Sequence, residues 1–330
     1  MCIRDRIHRV AQRHANGTAA IGQERQRVLG QRIADITADF DSIKGAAIDG
    51  DTAYLAVDSV EHDGAAVIAI DLSTGTVTNS KALDAVGHIA FAAGSLWADT
   101  TTDGCELSRL DGSTLDVVAT VPVTVCPFGV PLAAGGDAVW VLDSTTDKDG
   151  LSVPALRAVD ADSNTLGPPI AVPDTADSFI TGGAYGVVSR DSDAYVLVTG
   201  SDAPEEVASG ATSVAVGADG VWVGTTGISL IAGGRTLASY PDVSRLRGAT
   251  GSAAFAATTD NNGADVLAEL RSDGSPPSVI ARPPASDDAN APQLSFFTDD
   301  PLVADEGWVV QFWRVGEFPD VSIKAMIIAR

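Results

Sequence analysis

Along most of the chain, hydrophobic and polar positions alternate with a period of two. The alternation comes in short runs broken by Asp-Gly, Asn-Gly and Gly-Gly pairs. That period is the mark of half-buried strands, and those dipeptides supply the positive φ angles of tight hairpins. The runs also resemble one another. TAYLAVDS (from Thr52), SLWADTTT (Ser95), AVWVLDST (Ala138), GVWVGTTG (Gly220) and EGWVVQFW (Glu306) align with an aromatic third residue: Tyr54, Trp97, Trp140, Trp222 and Trp308. Successive gaps are 43, 43, 82 and 86 residues. The two wide gaps each have room for one degenerate copy, AYGVVSRD at Ala184 and SAAFAATT at Ser252. Seven units of about 40 residues match the spacing of four-stranded blades, so the pattern predicts an all-β, seven-bladed β-propeller.

The flanks of each aromatic run repeat as well. Upstream is a run of small apolar residues ending in glycine (HIAFAAG, TSVAVGADG), which reads as an innermost strand crowded around a channel. Downstream come a polar hairpin (DSVEHDG from Asp58, DTTTDG from Asp99, DSTTDKDG from Asp143), a third strand (AAVIAID, CELSRLD, PALRAVD), and a fourth (TVTNSKAL, TLDVVATVPV). The last unit ends on SIKAMIIAR from Ser322, a third strand with no fourth after it. RVLGQRIADIT, from Arg27, resembles the fourth-strand copies. It is expected to pair with the C-terminal blade and close the ring, burying Val28 and Ile33 and covering an exposed edge. Residues 27–330 therefore read as a single propeller domain.

Residues 1–26 stand apart. The first six, MCIRDR, back-translate to ATG TGT ATA AGA GAC AGR, which resembles a transposon-end adapter, so residues 1–6 read as a sequencing scar. The natural N-terminus is then expected to be missing. Charge narrows the partners: 44 acidic against 21 basic residues give a net charge of −23. Such a surface repels phosphate backbones, which argues against nucleic-acid binding. There is no apolar run of 18 residues, so no membrane insertion is expected, and a monomer is the expected state.

Residues able to carry chemistry are few. Cys105 opens a third strand and Cys126 follows the antiparallel fourth, so the hairpin brings both to one end of the blade. They read as a disulfide, and hence as a sign of an extracytoplasmic location, or as two separate buried thiols. Asp58, Asp99 and Asp143, with Asp147 and Asp149 in the same hairpin as Asp143, recur at one position in successive units. They are binding candidates for one acidic rim, with ordinary turn chemistry as the competing reading. DSTTDKDG lacks the ligand spacing of a calcium loop, so no metal site or cofactor is assigned, with a divalent cation at that rim as the alternative. His88, at the entry of an inner strand, is the one weak catalytic candidate, with a hydrogen-bonded structural histidine as the alternative. The repeated tryptophans read as blade core before ligand cage. Phe312 and Trp313 are candidates for a surface contact or for sealing the closing blade.

The pairing of an aromatic strand with a later Asp…Thr turn resembles the bacterial YVTN, NHL and virginiamycin B lyase-like propellers. Here the pieces are Tyr54 with Asp71 and Thr74, Trp97 with Asp111 and Thr114, and Trp140 with Asp160 and Thr165. Lyase members of that group use a histidine, acidic residues and magnesium at the channel mouth, but no histidine follows His88. The resemblance therefore implies a non-catalytic binding or interaction module, extracytoplasmic, with a protein, glycan or small-molecule ligand. The alternatives are a propeller lyase or hydrolase with a metal-assisted site at the channel mouth, and the sensor domain of a larger membrane-anchored signalling protein.

Overall fold

The structure is a computed structural model. It describes residues 31–330 except 38–39, 41, 60–63, 101–104, 125–131, 136–137, 173–177, 183–184, 191–192, 199–204, 244, 285–294, 297–299 and 317–320. The chain begins with β1 (Gln31–Thr37). Blade 1 follows: β2 (Ser42–Asp49), β3 (Thr52–Ser59), β4 (Gly64–Asp71) and β5 (Thr76–Leu83). Blade 2 is β6 (Ile89–Ala92), β7 (Ser95–Asp99), β8 (Glu106–Asp111) and β9 (Val117–Pro122). The next sheet holds β10 (Leu132–Gly135), β11 (Ala138–Thr146), β12 (Ser152–Asp160), β13 (Thr165–Leu166) and β14 (Ile170–Ala171). Blade 3 is β15 (Ser178–Gly182), β16 (Tyr185–Arg190), β17 (Asp193–Val198) and β18 (Glu205–Ala208). Blade 4 is β19 (Ser213–Gly217), β20 (Gly220–Gly224), β21 (Ile228–Ala232) and β22 (Arg235–Tyr240). Blade 5 is β23 (Arg245–Thr250), β24 (Ala253–Thr259), β25 (Asp265–Arg271) and β26 (Ser278–Ala281). Blade 6 joins β27 (Leu302–Ala304), β28 (Trp308–Val315) and β29 (Ser322–Ala329) to β1.

Each sheet is an antiparallel meander, and the inner strands β2, β6, β10, β15, β19, β23 and β27 neighbour one another in turn, with β27 returning to β2. The expectation of a seven-bladed propeller is corrected. Among the described residues there are six four-stranded blades, and the unit built around Trp140 is a five-stranded sheet instead. Its outer edge is cut into β13 and β14, which pair with different parts of β12. Pro168 and Pro169 lie at the cut; proline lacks the N–H a ladder needs, so the strand cannot run through.

The ring closes through β1, which pairs antiparallel with β29 from Gln31↔Ile328 to Thr37↔Ile323, with a bulge between Asp35 and Thr37. Ile36, 1% exposed, enters a core shared by blades 1 and 6 with Val57, Ile68, Phe312 and Ile323. Ile33 is partly buried against the core between blades 5 and 6; Val28 lies outside the described residues. The aromatic of the second strand is a wedge between sheets. Tyr54 shares a core cluster with Leu96 and Leu110 of blade 2, Trp97 with Leu132 and Val139 of the five-stranded sheet, and Trp222 with Leu246 and Leu270 of blade 5. Trp308 departs from the pattern. It is only partly buried, and its indole N–H donates to Asp51 Oδ1 at 2.8 Å. Phe312 and Trp313 are buried and seal the closing blade.

The recurring Asp turns between third and fourth strands explain a second layer of cohesion. Asp71 Oδ1 accepts from Thr74 N (2.9 Å), Asp111 Oδ1 from Ser113 N (2.9 Å) and Thr114 N (2.8 Å), and Asp160 Oδ1 from Asp162 N (2.9 Å). Fixed this way, each turn offers carbonyls to the preceding sheet. Arg32 donates to Leu72 O and Ser73 O, the Tyr54 hydroxyl to Gly112 O (3.1 Å), and Arg109 Nη1 to Ala161 O (2.5 Å).

These hydrogen bonds favour the charged carboxylate. The Ser73 hydroxyl leads at Asp71, the Ser113 hydroxyl at Asp111, the Ser163 N–H at Asp160 and the Ser275 hydroxyl at Asp273; all four pKa values are lowered, that of Asp111 to about 2. A lowered folded pKa contributes stability above the unfolded value, about 4, that is lost as pH falls through the folded one. Stability should therefore fall between about pH 4 and pH 2. Urea unfolding over that range should show a shallower pH slope for Asp111→Asn than for wild type. Equal slopes would remove Asp111 from the account.

Candidate functional site

In an antiparallel meander, the hairpins between second and third strands share one end of the ring with the starts of the inner strands. Asp58, Asp99, Asp143, Asp147, Asp149 and His88 all fall at this end. Their settings differ. Asp58, at the end of β3, pairs with Lys44 Nζ at 3.2 Å, both side chains about one-third exposed. Asp99 is fully buried, its backbone bonded on both sides: Gly87 N donates to Asp99 O (2.8 Å) and Asp99 N to His88 O (3.0 Å). Asp143 is buried as well. It accepts from Thr124 N (2.8 Å) and Thr124 Oγ1 (3.1 Å) and lies 3.1 Å from Arg157 Nε, an ion pair whose N–H is not aimed for a hydrogen bond. Asp147 caps its own turn by accepting from Asp149 N (2.9 Å) and Leu151 N (2.8 Å), and Asp149 is exposed at the tip. Among the described residues, no group of three or more His, Cys, Asp or Glu is placed to hold a metal ion.

His88 sits at the seam between blades 1 and 2. A Cβ added to Gly45 of β2 would lie 3.6 Å from His88 Cα and 3.2 Å from Ile89 N, so the two inner strands abut here. Beneath, the Asp99 carboxylate lies over Gly87, where any Cβ would collide with Oδ2. The imidazole itself is exposed, and among the described residues it makes no hydrogen bond. Partial desolvation by the surrounding protein pulls its pKa below the ordinary value, and the Asp99 charge opposes that shift. Gly87→Ala should displace Asp99 and lower stability by about 1–3 kcal/mol, measured by chemical denaturation. Wild-type stability in that variant would show that the carboxylate has room to move.

Cys105 is disulfide-bonded; Cys126 lies outside the described residues. Val123 N donates to Cys105 O at 2.8 Å. Sequence reasoning missed Lys44, Thr124 and Arg157. Lys44 is set apart only by strand pairing: β2 carries a register shift between Ile43 and Gly45, and Lys44 is the extra residue of that bulge. Bulges re-aim side chains and gather near functional sites.

No family model matches the chain, and no curated protein matches it in sequence. Solved structures do. A chain in the crystal structure of the mitotic checkpoint complex is 11% identical, with TM-score 0.59 over 94% of this chain and 95% of that one. The β-propeller domain of the Trilobed protease from Pyrococcus furiosus is 12% identical, with TM-score 0.55 over 83% and 91%. Acylaminoacyl peptidase in complex with Z-Gly-Gly-Phe-chloromethyl ketone is 12% identical, with TM-score 0.59 over 89% of this chain and 52% of that one, so this chain spans about half of the peptidase. Likeness at these identities is a likeness of fold, and the fold is a β-propeller.

Proposed function

We propose that this propeller is a non-catalytic binding module whose recognition face is the end of the ring carrying His88, Lys44 and the second-to-third-strand hairpins. The observation that carries the reading is how the carboxylates at that end are used. Asp143 holds Thr124 and Arg157, Asp147 caps its own turn, and Asp58 is engaged by Lys44. A general acid–base pair needs such groups aimed at a substrate. Spent on holding loops, they instead give a rigid face with variable connections, which suits recognition. The disulfide at Cys105 supports an extracytoplasmic location, since such bonds persist in oxidising compartments. A resemblance to the YVTN, NHL and lyase-like propellers fits the same reading.

The test is a panel of peptides, glycans and small metabolites, scored by thermal shift and, in parallel, by mass spectrometry for turnover. A ligand that raises Tm and is recovered unchanged is the expected result. Turnover abolished by His88→Ala would overturn the reading in favour of a propeller enzyme. A second reading, a domain of a larger protein, is favoured by the half-length match to acylaminoacyl peptidase. The full open reading frame decides it.

A further inference from the structure

The two described inner-strand bulges share a sequence feature. In β2 the extra residue is Lys44, before Gly45; in β23 it is Arg247, before Gly248. In both, a Cβ added to the glycine would meet the next inner strand, Ile89 N at 3.2 Å for Gly45 and Leu302 Cδ2 at 3.4 Å for Gly248. Each bulge thus places a cation at a seam between blades. At the seam of blades 5 and 6 the cation is used internally, with Arg247 donating to Asp300 O and, at 3.4 Å, to Gln311 Oε1. The seam of blades 1 and 2 differs. Across it from Lys44 stands His88, its imidazole exposed and without a hydrogen bond among the described residues, on a backbone fixed by Asp99. Among the described residues Lys44 pairs with Asp58 of its own blade, both side chains about one-third exposed. An exposed ion pair of that kind is weak and exchanges readily for another carboxylate.

We propose that Lys44 and His88, brought to the two sides of this seam, form a subsite for a carboxylate-bearing ligand. The inference rests on the binding-module reading and names the ligand chemistry of that face. Lys44 supplies an ammonium, and His88 supplies an exposed imidazole on a backbone tied to Asp99. The ligand carboxylate takes the position of the Asp58 carboxylate beside Lys44. A small monoanion is favoured over a polyanion because the chain's net charge of −23 repels extended negative charge.

Two sources share this chemistry, a peptide C-terminus and an acidic sugar. Acetyl-Ala-Ala against its amide, and glucuronate against its methyl ester, are titrated into the full chain while the His88 ring resonance is followed by NMR. One carboxylate of the two should shift that resonance saturably, with Kd on the order of 1–10 mM, and its neutral analogue should not. Lys44→Gln should weaken the binding at least about fivefold with unchanged circular dichroism, and Asp58→Asn should strengthen it by freeing Lys44. The proposal is overturned if neither carboxylate saturates below about 50 mM, if the neutral analogues act equally, or if Lys44→Gln binds as wild type. A chain that ignores both carboxylates yet gains Tm from another member of the ligand panel loses this subsite and keeps the binding-module reading.

Discussion

Asp143→Ala is expected to lower the unfolding free energy by about 3–5 kcal/mol. The carboxylate is buried and answers to two partners: the backbone and hydroxyl of Thr124, on the chain leaving blade 2, and the Arg157 guanidinium of β12. Removing it leaves the Thr124 N–H without its acceptor and a mostly buried guanidinium, one-fifth exposed, without its counter-charge. Orphaned partners, more than the lost attraction, set the size of the effect. Asp143→Asn separates the two contributions. An amide oxygen still accepts from Thr124 but offers Arg157 no charge, so its loss should fall between wild type and the alanine variant. Urea midpoints at constant m-value are the measurement. If Asp143→Ala unfolds with the wild-type midpoint, Asp143 does not tie blade 2 to the five-stranded sheet.

That clamp shows where the sequence was legible and where it was not. Strand alternation, the aromatic wedges and the closing role of RIADIT were readable because each is a local pattern or a repeat, and the ladder from Gln31↔Ile328 onward bears the last of these out. Spacing alone could not distinguish a four-stranded blade from the five-stranded sheet. The interval around Trp140 is the usual 43 residues, and the break comes from two prolines inside a segment that otherwise reads as a fourth strand. The site was harder still. Asp58, Asp99 and Asp143 look alike in sequence, each opening a polar hairpin, yet only the tertiary structure decides that Asp99 is buried over Gly87 and that Asp143 faces Thr124. Lys44 carried no motif at all. Its significance is a bulge, which depends on the register between two strands and not on either alone.

The second large effect is expected at the ring closure. Ile36 is 1% exposed and lies in a core drawn from both ends of the chain: β1, blade 1, and β28 and β29 of blade 6. Ile36→Ala should lower stability by about 2–5 kcal/mol, the range for removing a buried aliphatic side chain. Ile36→Asp places an unpaired charge in the same space and should remove most of the 5–15 kcal/mol typical of a folded domain. Asp35→Ala, one residue away, is the control. Its side chain is 79% exposed and pairs with Lys324 at 3.0 Å, so its loss should stay within about 0.5 kcal/mol. Hydrogen exchange then tells how the ring fails. If β1 closes a ring that otherwise holds together, Ile36→Ala should strip protection from the β29 amides that pair with it while β20, across the ring, keeps its own. If all strands lose protection together, closure and blade folding are a single cooperative event, and β1 is part of the folding unit itself. Protection of β29 unchanged in Ile36→Ala would mean that the ladder holds β1 without its buried side chain, which its place in the shared core argues against.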